Sequence, residues 1–226
     1  MMQKESNGFI FNYDEILDMV PTNKIDAITA IEWEFILARR ELEFFPIQSS
    51  WTVLIGGAWL GTNSFIFAQK VKTVISLEPS KSTYELLVKS CNDNGFKNII
   101  PLKLALWDKN GEEEFLIADA SCSSGPVVNW VENKITGKEI VQTITWNSLM
   151  TELGKHIDLC IVDLEGSEEK FIDGMTENLP DRLMISGYHP VSPHWNWEQK
   201  LKDRGYKFDG HLADVTNVNH DWVYHL

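Results

Sequence analysis

The sequence predicts an α/β domain: a mostly parallel sheet with helices on both faces and an antiparallel finish. Three observations lead there. From residue 52 onward, apolar stretches of strand length alternate with amphipathic stretches of helix length, the pattern of strand–helix–strand crossovers. A glycine turn, Gly57-Ala58-Trp59-Leu60-Gly61, follows the first of these strands. A later apolar run, Ile157 to Val162, delivers Asp163 and Glu165 at its end, the edge where open parallel sheets bind ligands.

The elements follow in order. Residues 24–45 carry Ile28, Ile31, Phe35 and Leu42 at helical spacing and predict an N-terminal helix that packs on the main domain. Strands are expected at 52–56, 73–77, 98–104, 157–163 and 182–188, with helices near 61–70, 80–94, 147–154, 167–176 and 196–204. Two segments, 112–118 and 139–146, interrupt this rhythm as strands flanking a polar loop rich in Ser and Gly. The tail from Gly205 reads as two strands joined by a short polar turn, hence the antiparallel ending.

Composition narrows the function. The 226 residues suit one domain with a well-buried core. A formal net charge of −13 argues against a nucleic-acid partner, because phosphate backbones demand clustered Lys and Arg. No apolar run approaches the ~20 residues of a bilayer span, and the first residues lack the basic-then-apolar order of a secretory signal. Three scattered cysteines, Cys91, Cys122 and Cys160, argue against a disulfide frame or a zinc site, so the expectation is a cytoplasmic protein. Nine tryptophans are many for this length.

Glycine after a strand turns the backbone sharply and lets a ligand approach closely. The helix start that follows, at Thr62 or Asn63, suits an amino-acid carboxylate. Such a turn is as readily a packing feature on its own. The next strand ends in Glu78, about 20 residues on, where an acid accepts hydrogen bonds from adenosine ribose hydroxyls. Together they point to a nucleoside-type cofactor. The G-x-G-x-x-G spacing for a pyrophosphate is absent, which disfavours a nicotinamide dehydrogenase.

"VDLEGSE", the "LEP" of Leu77 to Pro79, "LALWDKNGEEEF" and "ISGYHP" occur in an order and spacing that resembles the FkbM-type methyltransferases. The resemblance runs over roughly residues 50–190. It implies the Rossmann-like class I methyltransferase fold, a mostly parallel seven-stranded sheet with an antiparallel C-terminal strand and a small antiparallel insert. Residues 1–50 would then be a helical extension and 51–226 the domain dependent on S-adenosylmethionine. It also implies that Gly57, Ala58, Gly61 and Asn63 line the methionine end, that Glu78 takes the ribose, and that Ala105, Leu106 and Trp107 lie near the adenine. The D-x-E-G-x-E run falls on Asp163, Glu165, Gly166 and Glu168. Two positions depart from the pattern. The usual acid of the first motif falls on Ile55, and the small or polar turn residue falls on Trp59. Losing that acid would weaken the grip on the cofactor's ammonium by about 1.5–3 kcal/mol unless another group substitutes. A degenerate, non-catalytic site is therefore the competing reading.

The resemblance implies methylation of a hydroxyl, with a sugar, glycan or small natural product as acceptor. Asp163 and His189 are the candidate bases, since histidine titrates near neutrality and both follow strands on one sheet edge. His189 equally reads as a histidine that bonds nearby backbone. Asp163 is also expected beside the cofactor, or with Glu165 as a ligand of a divalent ion. Glu165, His194 and Trp195 are expected on the acceptor side, with Trp130 and Trp197 completing an aromatic wall.

Overall fold

The computed structural model describes residues 2–13, 27–118, 124–126, 135–187, 189, 192–213 and 220–226. A hairpin of β1 (Met2–Ser6) and β2 (Phe9–Tyr13) opens the chain. Its two-residue turn, Asn7-Gly8, has φ of 52° and 81°, the doubly left-handed geometry that matches strand twist. The first fifty residues are therefore not purely helical. Asn-Gly was the local signal for this hairpin. Helix α1 (Ala27–Phe44) follows, with Ile31 and Phe35 buried on its inner face.

The central sheet is built from β3 (Thr52–Gly56), β4 (Thr73–Leu77), β5 (Ile99–Leu102), β9 (Leu159–Val162), β10 (Arg182–Ser186), β11 (Lys207–Ala213) and β12 (His220–His225). Its seven strands run in the order β11-β12-β10-β9-β3-β4-β5. β3, β4, β5, β9 and β10 pair in parallel, while β12 lies antiparallel between β10 and β11. Helices α2 (Thr62–Ala68), α3 (Lys81–Asp93), α4 (Trp146–Leu153), α5 (Glu168–Asp173) and α6 (Glu198–Asp203) make the crossovers.

Strand alternation divides the core into two layers. Val53 and Ile55 face the hairpin, α1 and α2, whereas Leu54 faces α4 and α5. The hairpin thus shares one core with the sheet: Phe9 and Phe11 pack on Phe35 and Phe65. Each such buried side chain contributes about 1.5–3 kcal/mol relative to exposure. The expected antiparallel insert gains a third strand. β7 (Gly111–Ala118) and β8 (Ile135–Ile144) are antiparallel, but β6 (Ala105–Leu106) joins β8 in parallel and makes a mixed three-stranded sheet. Cys91 and Cys160 are buried free thiols, and Cys122 lies outside the described residues.

Candidate active site

A cavity of about 280 Å³ opens at the carboxyl ends of β3, β4 and β9. Its floor is the turn after β3. Gly57 has φ of 77°, and its N–H and that of Ala58 both donate to the Leu77 carbonyl at 3.1 and 2.9 Å. A Cβ on Gly57 would lie 1.9 Å from the Asp163 carbonyl oxygen. The glycine turn and the end of β9 therefore interlock, backbone against backbone. Trp59 also sits at positive φ, 44°, and packs its ring against the core below.

Glu78 is buried at the end of β4. Its Oε2 accepts the Trp59 N–H and its Oε1 the Ser80 N–H, both at 3.0 Å. Burial pushes this carboxyl up to about 7 against the two backbone donors that lower it. Gly61 has a different role from the expected one. It caps α2 at φ 101°, a Cβ there would meet Leu87 and Phe65 at 2.8 Å, and it does not line the cavity. Ala105 and Leu106 do line it, but Trp107 turns away to pack on Phe115 at 6.0 Å between ring centres.

On the other wall stand Asp163 and Glu165. Glu165 takes φ of 50°, a strained conformation of the kind found at functional sites, worth ~1–3 kcal/mol. Behind both lies Glu168, fully buried, whose Oε1 accepts the N–H groups of Leu164 (2.9 Å) and Gly166 (3.4 Å). His189 is buried against all three acids: Nδ1 is 2.9 Å from Glu168, and Nε2 is 3.5 Å from Asp163 and from Glu165. Burial alone would lower its pKa, but the bonds to Glu165 and Glu168 and the charge of Asp163 push it up to about 11. The three acids thus favour the protonated ring, and His189 is absent from the cavity lining. Of the two expected bases, Asp163 lines the cavity and His189 stands behind it.

Oxygen and nitrogen atoms of Asp163, Glu168 and His189 lie within 4.8 Å of one another. In this structure the ring pairs with these acids, at 2.9 Å from Glu168 and 3.5 Å from Asp163.

Three further acids converge here, none of them named from the sequence. Glu34 and Glu41 enter from α1 and Asp221 from β12, with Ser186 Oγ donating to Asp221 Oδ1 at 2.8 Å. Burial, then the neighbouring Asp163, raises Glu34 to about 8 and Asp221 to about 7. Burial likewise raises Glu165 to about 7 in spite of His189. Among the described residues lining the cavity there is no Lys or Arg. Glu34, Leu37 and Glu41 lie at i, i+3 and i+7 on α1, so a line of acids beside an apolar helix face was the available signal.

Of the expected aromatic wall, the described tryptophans Trp195 and Trp197 lie elsewhere. Trp195 is 69% exposed, Trp197 is in the core against Tyr224, and neither lines the cavity. His194 opens a single 3-10 turn, His194–Asn196, and Trp130 lies outside the described residues.

The family model described as "Methyltransferase FkbM domain" matches residues 57–208. No curated protein matches the chain. Among solved structures, TYW2 of M. jannaschii in complex with AdoMet is 16% identical, with a TM-score of 0.54 over 99% of this chain and 84% of that one. Precorrin-6y C5,15-methyltransferase from Geobacter metallireducens GS-15 is 10% identical, with a TM-score of 0.56 over 92% and 95%. A SAM-dependent methyltransferase from Aquifex aeolicus is 15% identical, with a TM-score of 0.52 over 86% and 91%. Likeness at these identities establishes the fold. No helix among the described residues is long and apolar enough to cross a membrane.

Proposed function

The chain belongs to the FkbM methyltransferase family, and on that premise we propose that it methylates a hydroxyl of a small-molecule or glycan acceptor, with S-adenosylmethionine as donor and Asp163 as base. One observation carries the reading: Glu78, suited to the donor's ribose, and Asp163, suited to the acceptor, open into the same cavity.

The residues fit the donor. A carboxylate has about four acceptor positions, so Glu78 keeps capacity for ribose hydroxyls after accepting from Trp59 and Ser80. Leu104, Leu106 and Phe115 supply an apolar wall for adenine. Acids without lining cations suit a ligand that carries positive charge. When bound, S-adenosylmethionine supplies a methyl group on a cationic sulfonium.

The side chains of this chain then have two tasks. Holding the acceptor in line contributes up to about 7–11 kcal/mol of the barrier. Asp163, whose side chain is 42% exposed, takes the proton that the acceptor hydroxyl sheds, an effect of roughly 10²–10⁴-fold. His189, Glu168 and the strained Glu165 are positioning residues that fix the Asp163 loop. An acidic cavity in a chain of net charge −13 disfavours phosphate-rich acceptors.

The test is a cell extract incubated with the protein and isotope-labelled donor, followed by mass spectrometry. A labelled oxygen ether is expected. Asp163→Asn should lower turnover by about 10²–10⁴-fold and leave S-adenosylhomocysteine affinity within about threefold. A variant as active as the wild type would remove Asp163 as base. The competing reading of a degenerate site rests on Ile55 and Trp59, which line the cavity without charge; it predicts that the chain binds no donor and gives no labelled product.

A further inference from the structure

Among the described residues, two buried side-chain oxygens near Glu41 lack a hydrogen-bond partner. Glu41 is 7% exposed, and its Oε2 accepts the Asn63 Nδ2 at 2.9 Å. That bond turns the amide so that Asn63 Oδ1 faces elsewhere. Among the described residues, neither this oxygen nor the Oγ1 of Thr62, a residue 3% exposed, finds a hydrogen-bond partner. All three residues line the cavity, next to Gly57 and Ala58.

Leaving a buried acceptor unsatisfied is unfavourable, and here two occur beside a buried carboxylate. The arrangement is rich in acceptors and poor in donors. The acid-rich lining, with Glu34, Asp163 and Asp221 in the same cavity, favours a cation over an anion at this spot. A primary ammonium group carries three N–H donors and one positive charge, which matches a carboxylate plus two neutral oxygens. Ile55, on β3 below, contributes no charge.

We propose that Glu41, Asn63 and Thr62 form a site for a primary ammonium, occupied by the α-amino group of the donor's methionine portion. The assignment rests on the donor reading above. It reaches outside the family match, since Glu41 precedes residue 57. Burial first, and then the nearby charges of Asp221, Glu34 and Asp163, raise the Glu41 carboxyl well above its ordinary value. A cation here reverses that effect and holds Glu41 ionised.

The test compares two ligands by titration calorimetry on the full chain. S-adenosylhomocysteine carries the amino-acid portion, and 5′-methylthioadenosine presents the same nucleoside without it. Glu41→Gln should weaken the first by about 10–100-fold and the second by no more than about twofold, the range of a charged hydrogen bond. Thr62→Val keeps the side-chain shape and guards against a misfolded Glu41 variant. It should weaken S-adenosylhomocysteine by about 3–10-fold while the ligand-free melting temperature holds or rises. Equal losses for both ligands, or no loss for either, would overturn the site. A wild-type chain that binds neither nucleoside would overturn the donor reading along with it.

Discussion

Replacing His189 by Gln separates a positioning imidazolium from a catalytic base. The wild-type ring is fully buried, 2.9 Å from the buried Glu168 and 3.5 Å from Asp163 and Glu165. Gln keeps hydrogen-bonding ability but removes the positive charge, leaving the Glu168 carboxylate uncompensated. Removing one partner of a buried pair costs about 3–5 kcal/mol. In a chain of this size each kcal/mol moves the melting temperature by roughly 2–4 °C, so His189→Gln should melt about 6–20 °C lower at pH 7. The deficit should shrink toward pH 5, where Glu165, raised to about 7 by burial, takes up a proton. Adding Glu168→Gln should recover part of it, so that the double variant is less destabilised than the two single losses combined. Scanning calorimetry reads all three. The acid limb of the pH–rate profile should survive in His189→Gln. A melting temperature within about 2 °C of wild type, together with loss of that limb, would refute the imidazolium and restore the histidine base.

Other predictions follow from the same geometry. Gly57→Ala places a methyl 1.9 Å from the Asp163 carbonyl at φ 77°; the Asp163 loop must move, and a shift near 1 Å should lower turnover on the order of 10²-fold, checked by steady-state kinetics. Glu78→Ala should weaken S-adenosylhomocysteine by about 10–100-fold, and an unchanged dissociation constant would take Glu78 out of the site. Stability without ligand should fall as pH rises. Glu34 and Glu165 are raised from 4.5 to about 8 and 7, and Asp221 from 3.8 to about 7. The folded chain therefore holds more protons than the unfolded chain across that window, and stability is lost as pH climbs through it. His189, raised from 6.5 to about 11, acts in the same direction at higher pH. Melting temperatures at pH 5.5, 7 and 8.5 test the sign, and a rising series would contradict it.

Local sequence was enough for the sheet because strand and helix leave different periods in the chain. Thr52–Gly56 and Thr73–Leu77 are legible as buried strands from five residues each, and the acids at strand ends, Glu78 and Asp163, inherit their place on the carboxyl edge from the parallel arrangement alone. Asn7-Gly8 was equally legible as a hairpin turn. The tryptophans were not: Trp195 and Trp197 are two residues apart in one polar segment, and only packing makes one exposed and the other core.

What the amino-acid sequence determined by itself was the family, the parallel sheet and the edge that carries the site. Tertiary structure decided the chemistry on that edge. Glu34 and Glu41 on α1 and Asp221 on β12 carry no sign of a shared cavity until a helix and an antiparallel strand bring them beside Asp163. His189 reads as a base in isolation, and only the fold packs Glu165 and Glu168 around it, where they favour its protonated form. The reason is physical: periodicity and turn chemistry act between near neighbours in the chain, whereas burial and charge depend on distances in space that only the folded state sets.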